Sequence, residues 1–147
     1  MVSVADRLKN LFPTLFLRSP AHAVMSRQYV IIEFTKQRSS QTYRTPIAYV
    51  RDGGRLLAST DSPWWRNLEA DPAVRLRLAG REVAGTATVF TDPAQAAPII
   101  RRLVDSIPSY ARLAHVAREG GRVSDDEILR VIADGRVAIA ITLEEQR

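Results

Sequence analysis

Val74, Leu76 and Leu78 alternate with Arg75 and Arg77, and after Ala79-Gly80 a second run alternates Val83, Gly85, Ala87 and Val89 with Glu82, Ala84, Thr86 and Thr88. A period of two places one set of side chains on each face of an extended chain. Two such runs joined at a glycine read as a half-buried antiparallel hairpin. The same pattern recurs upstream, where Thr45 to Val50 and Arg55 to Ser59 flank the turn Asp52-Gly53-Gly54, preceded by the apolar, β-branched run Tyr29 to Thr35. A last strand, Arg136 to Leu143, puts Val137, Ile139, Ile141 and Leu143 on one face. Strands that come in hairpins, without a helical crossover between each pair, exclude a doubly wound α/β sheet. The expected class is α+β, mainly antiparallel β: six strands closed or nearly closed into a barrel, with helices over its ends.

The helical segments announce themselves by their ends. Ser62 is a natural N-cap with Pro63 at the first helical position, and the helix should stop before Asp71-Pro72, because a residue ahead of proline avoids the helical region. Asp92-Pro93 opens a helix carrying Ile99, Ile100, Leu103 and Val104. Another is expected from Tyr110 to Glu119, ending at Gly120-Gly121, and Ser124 with Glu127 caps a third. At the N-terminus, Ser3 and Asp6 cap an amphipathic helix whose apolar face is Val4, Leu8, Leu11 and Phe12. A signal peptide is the competing reading there, but Pro13 and Thr14 interrupt the apolar run and Asp6 sits among the leading charges. One domain over residues 1–147 follows, with an N-terminal helical region (1–25), a barrel core (26–92) and a segment of helices with the final strand (93–147). No stretch reaches the ~20 apolar residues needed to span a bilayer. The expected location is the cytoplasm, with peripheral membrane contact through the N-terminal helix as a further expectation.

Composition narrows the chemistry. With no cysteine there is no disulfide, thiolate nucleophile or zinc ribbon, and His22 and His115 stand far apart, so no metal site is expected. The net charge is +5, but the basic residues, all arginine except Lys9 and Lys36, are dispersed among 16 acids. Dedicated nucleic-acid binders concentrate charge on one element, so a nucleic-acid partner is disfavoured while anionic ligands remain favoured. Nucleotide-binding glycine loops, nucleophile elbows and histidine metal patterns are absent. His22, between two alanines, reads as a packed or capping histidine, and His115 as an exposed one. Asp125-Asp126-Glu127 falls in the first turn of a helix, where carboxylates favour the positive dipole end.

The segment Lys36 to Arg44 is different. It gathers Lys36, Arg38 and Arg44 with the hydroxyls of Ser39, Ser40 and Thr42, and successive amides in a tight connection can converge on an anion. The residues alone equally suit a solvated polar turn. Trp64 and Trp65 follow; adjacent helical residues point about 100° apart, so one indole is expected in the core and the other beside a cleft. Gly85 and Ala87 leave volume that either a neighbouring side chain or a planar ring would occupy.

Together, Arg44-Thr45-Pro46, Tyr49-Val50-Arg51-Asp52-Gly53, Trp65-Arg66-Asn67-Leu68, Asp71-Pro72-Ala73-Val74 and Gly80-Arg81-Glu82-Val83 resemble the deazaflavin-dependent nitroreductase and quinone reductase family, over roughly Leu17 to Asp92. The resemblance implies a split β-barrel of the FMN-binding type and the coenzyme F(420) as a two-electron hydride carrier. It implies that Lys36, Arg38, Ser39, Ser40 and Arg44 hold the coenzyme's phosphate and acidic tail. It places Thr45, Pro46 and Ile47 with Ala58, Ser59 and Thr60 along the ring, Trp65 and Asn67 at its edge, and Trp64 and Tyr110 on the substrate side. The family loop G-R-x-S-G reads Lys36-Gln37-Arg38-Ser39-Ser40 here, with both glycine places changed. The function implied is a reductase of quinones, nitroaromatics or enones, protonation coming from solvent or a hydroxyl, with no acid-base dyad required. Homodimers are plausible for such barrels. The alternatives are an FMN-binding reductase and a non-catalytic binder of a hydrophobic anion.

Overall fold

The computed structural model describes residues 29–107, 110–114, 117–119 and 121–144. The N-terminal helix, both histidines and the pair Pro108-Ser109 lie outside the described residues. Six long strands form one closed barrel: β1 (Tyr29–Thr35), β2 (Thr42–Asp52), β3 (Arg55–Thr60), β4 (Ala73–Leu78), β5 (Arg81–Phe90) and, last in the chain, β8 (Val137–Leu143). Around the barrel they run β1-β2-β3-β8-β5-β4, and β4 pairs back onto β1. Every pairing is antiparallel, as hairpin-connected strands require. Closure leaves the barrel no free edge.

The period of two holds in each strand. Val30, Ile32 and Phe34 of β1, Leu56 and Ala58 of β3, Val74 and Leu76 of β4, and Ile139 and Ile141 of β8 fill the barrel interior. Several of these are fully buried, and burial of one such side chain contributes roughly 1.5–3 kcal/mol. A second apolar layer lies outside the wall, where Leu57, Ala138 and Ala140 face α2 (Pro93–Ser106) and α4 (Asp125–Ala133). Strand β8 is therefore buried on both faces rather than the one expected. Ala138 and Ala140 carry too little side chain to signal burial in a sequence pattern, yet their small size lets α2 approach the sheet.

Three local expectations are corrected. The helices lie mainly against the wall of β2, β3 and β8 rather than over the barrel ends; only α1 (Arg66–Ala70) sits at an end, with Leu68 inserted into the interior cluster. The helix expected from Tyr110 to Glu119 is one turn, α3 (Tyr110–Leu113). Arg118–Glu119 (β6) instead pairs with Arg122–Val123 (β7), and Gly121 at φ +81° serves the turn between them. A Gly-Gly pair stops a helix and turns a hairpin equally well, so the signal was ambiguous. Finally, Ser62 does not cap through its side chain; its amide donates to Thr60 Oγ1 at 3.1 Å, and Pro63–Trp65 is a 3-10 turn leading into α1. The cap expected of Ser124 is present, its Oγ accepting from the Glu127 amide at 3.2 Å.

Candidate functional site

Residues 36–41 connect β1 to β2 as a closed turn. The Lys36 amide donates to the Gln41 carbonyl at 2.7 Å and the Ser40 amide to the Lys36 carbonyl at 3.0 Å. Ser40 sits at φ 56°, the left-handed region that L-residues enter at a cost of roughly 1–2 kcal/mol. This is the place that the resemblance gives to the second family glycine, and its φ is one that glycine favours. The turn is also tethered. Asn67 on α1 accepts the Gln37 amide through Oδ1 at 2.9 Å and donates through Nδ2 to the Trp64 carbonyl at 2.9 Å.

These bonds decide what the turn can offer an anion. The amides of Lys36, Gln37, Ser40 and Gln41 are already engaged, the last with Ser39 Oγ at 3.4 Å. The tip amides of Arg38 and Ser39 have no partner among the described residues. Arg38, Ser39 and Ser40 are exposed, and Arg38 makes no ion pair among the described residues. The Lys36 ammonium lies 5.0 Å above the Tyr43 ring. Arg44 bonds Glu33 through Nε, which partly neutralises it while its side chain stays largely exposed.

An aromatic corner stands beside the turn. Trp64 stacks on Phe34 with centroids 5.1 Å apart and planes 20° apart, and Tyr43 meets Phe34 at 5.3 Å. Arg66 lies 5.4 Å from the Trp65 ring. Both indoles are partly exposed and both pack against the interior cluster, so the core contact expected of one of them is shared by the two. The corner seats Trp64 over the barrel end and leaves part of each indole open.

The strand residues placed along a ring separate into two groups. Thr45, Ile47 and Ala58 are buried, with Ile47 and Ala58 in the interior core, and Pro46 is half-exposed on the outer surface. Ser59 faces the helical layer instead, where its Oγ accepts from Arg136 Nη1 at 2.8 Å. Thr60, nearly buried, accepts the Ser62 amide and shapes the approach to the tryptophans. The volume at Gly85 is taken by a neighbour: a Cβ there would lie 2.8 Å from Ile141 Cγ2 and 3.0 Å from the Thr142 carbonyl. A ring does not occupy that space.

Tyr110 is buried beneath the helical layer with its hydroxyl 3.5 Å from the Ser59 carbonyl, to which it donates. Burial pushes its phenol above the ordinary value, against the opposing pull of Arg136, so it is a neutral hydroxyl at physiological pH. Arg136, Asp61, Arg66, Phe34 and Tyr43 were not singled out from sequence. A lone arginine between Gly135 and the apolar run Val137 to Ile141 was the available signal for Arg136, read only as the start of a strand. Among the described residues no cluster of His, Cys, Asp or Glu could hold a metal ion, and no helix is long and apolar enough to cross a membrane.

Solved structures share this barrel at low identity. An F420 reductase is 16% identical, with 81% of this chain and 88% of that one covered and a TM-score of 0.53. An F420-H2 dependent reductase, FDR-A, is 15% identical over 78% of this chain and 94% of that one, at a TM-score of 0.51. A FAD-binding protein from Mesorhizobium loti is 14% identical over 86% and 91%, at 0.55. These likenesses establish the split β-barrel fold. No curated protein matches the chain. A family model does, across residues 19–124, from ahead of β1 to the cap of α4. Only the first residues, the last helix and the closing strand fall outside that match, and the chain therefore belongs to the F420H(2)-dependent quinone reductase family.

Proposed function

We propose that the protein is an oxidoreductase that uses reduced coenzyme F(420) to reduce a quinone, nitroaromatic or enone-type acceptor. The observation that carries this reading is the serine turn, which keeps a left-handed residue at the glycine place and is tied by Asn67 to the helix bearing the tryptophans. The donor set suits a phosphate and a carboxylate tail: the Arg38 and Lys36 cations, the exposed hydroxyls of Ser39 and Ser40, and two tip amides. Trp64 and Trp65 offer flat apolar surface next to those donors.

When bound, such a coenzyme supplies a hydride, and the acceptor takes a further proton from water or a hydroxyl. The chain's own part is to bind, orient and exclude water. Lys36, Arg38 and the turn fix the anionic end, Pro46 and Thr60 border the ring on the strand side, and Trp65 with Asn67 closes the edge. Trp64 stands on the acceptor side, and Tyr110, its hydroxyl donated to the Ser59 carbonyl, supports that side from beneath without donating to the acceptor.

Titration of the purified protein with F(420), followed by coenzyme fluorescence, tests the reading. Binding in the micromolar range is expected, and none at tens of micromolar overturns it. Asn67→Ala unties the Gln37 amide, and loss of a bond of about 1 kcal/mol predicts a roughly fivefold weaker Kd with the barrel intact. A second reading, a flavin-dependent reductase, is favoured by the shared fold of the FAD-binding relative. A yellow protein carrying flavin after purification would select it.

A further inference from the structure

Arg136 precedes β8 and is almost wholly buried, its side chain only 7% exposed. The preceding Gly135, at φ +113°, turns the chain out of α4, and the Arg136 amide donates to the Val131 carbonyl at 2.9 Å. Its guanidinium then reaches two residues of one corner. Nη1 donates to Ser59 Oγ at 2.8 Å, at the end of β3. Nη2 lies 3.6 Å from Asp61 Oδ2, in the link from β3 to the tryptophan corner. The fully buried Tyr110 hydroxyl on α3 donates to the Ser59 carbonyl at 3.5 Å, so α3 docks on the same corner.

A guanidinium removed from water needs strong compensation, and here its carboxylate partner is 57% exposed and at long range. A well-packed apolar side chain would hold this layer together at least as well. What an apolar residue would not do is fix the direction of two polar partners at once, since a planar fork meets each of them at a set angle. The proposed function sets this corner and α3 on opposite sides of the reacting pair. Ser59 and Asp61 lead into Trp64, Trp65 and Asn67, while α3 carries Tyr110.

We infer that Arg136 is a positioning residue for hydride transfer: its buried guanidinium clamps the Ser59–Asp61 corner, on which α3 docks through Tyr110, and so sets the spacing between the acceptor wall and the coenzyme wall. This inference rests on the function proposed above. It requires no contact between Arg136 and either reactant. Because displacement of about 1 Å from the reactive geometry can cost on the order of a hundredfold in rate, loss of the clamp should act on turnover while leaving the anion-binding turn, on a different connection, untouched.

The test compares wild-type protein with Arg136→Met and Arg136→Lys, and with Ser59→Ala as a milder variant should the methionine substitution prevent folding. Amide exchange is read without coenzyme, and Kd for F(420), kcat and KM for a water-soluble benzoquinone are read with it. The expected result for Arg136→Met is exchange at least tenfold faster in residues 58–61 and 110–114 alone, a coenzyme Kd within threefold of wild type, and a kcat lowered at least tenfold. Ser59→Ala should move the same quantities less, and Arg136→Lys, which keeps the charge without the fork, should recover only part of the lost kcat. Unchanged exchange in both segments overturns the clamp. Faster exchange with unchanged kcat overturns the positioning role alone, and full recovery by lysine shows that charge, not the fork, acts, which also overturns it. Wild-type protein that neither binds F(420) nor turns over overturns the proposed function, and this inference with it.

Discussion

Gly85 shows how much a single missing Cβ decides. Its strand passes so close to β8 that an added methyl would meet Ile141 Cγ2 at 2.8 Å and the Thr142 carbonyl at 3.0 Å. The Ile141 side chain can rotate away, but the carbonyl belongs to the ladder that closes the barrel between β5 and β8. Gly85→Ala is therefore expected to lower stability by about 1–3 kcal/mol, read as a reduced denaturation midpoint, and an unchanged midpoint would refute the close approach. Ser40 is the converse case. Here a residue with a Cβ occupies a left-handed position, held there by the hydrogen bonds that close the turn. The residue types at both positions were plain in the sequence; the neighbour that fills the space at Gly85 was not, because it lies far away along the chain, and neither was the left-handed backbone at Ser40, because it depends on how the turn closes rather than on residue type.

Among the elements, α2 carries an unusual burden. Pro93 begins it suitably, where no intrahelical amide bond is needed, but Pro98 stands inside the helix on an exposed side. It has no amide to offer the Ala94 carbonyl one turn back. The helix persists because Ala96, Ile99, Ile100, Leu103 and Val104 are buried against the barrel wall, and tertiary packing outweighs propensity. Pro98→Ala should restore the missing bond and raise stability by roughly 1–2 kcal/mol, less than the full helix penalty of proline because the unfolded chain regains freedom. A higher melting temperature in calorimetry is the expected outcome; a lower one would show that the ring packs usefully where it is. The short α3 and the β6–β7 ribbon follow the opposite rule, being too brief to declare themselves by periodicity and settled by a glycine turn and the neighbours they meet.

Taken whole, the molecule has two buried layers, one inside the barrel and one between its wall and the helices, and its tyrosines report on both. Burial raises the phenols of Tyr29, Tyr49 and Tyr110 above the ordinary value of 10.0. The folded protein therefore holds protons that the unfolded chain releases near pH 10, so the stability they contribute is complete below that pH and is lost as pH rises through the folded values. A melting temperature that falls above pH 10, together with delayed tyrosinate absorbance, is the expected result; titration of all tyrosines at the ordinary value would contradict it. The sequence by itself determined the six strands, their hairpins and the barrel class, because period-two patterning and turn chemistry are local and survive without coordinates. It also located the serine turn and the tryptophan corner, since their residue types are adjacent in the chain. Tertiary structure alone decided that Asn67 ties the two together, that most turn amides are already engaged, that β8 is buried on both faces and that Arg136 meets Ser59 and Asp61 where Tyr110 docks. Each of these joins residues distant in sequence, and only chain closure fixes which of them share a hydrogen bond or a cavity.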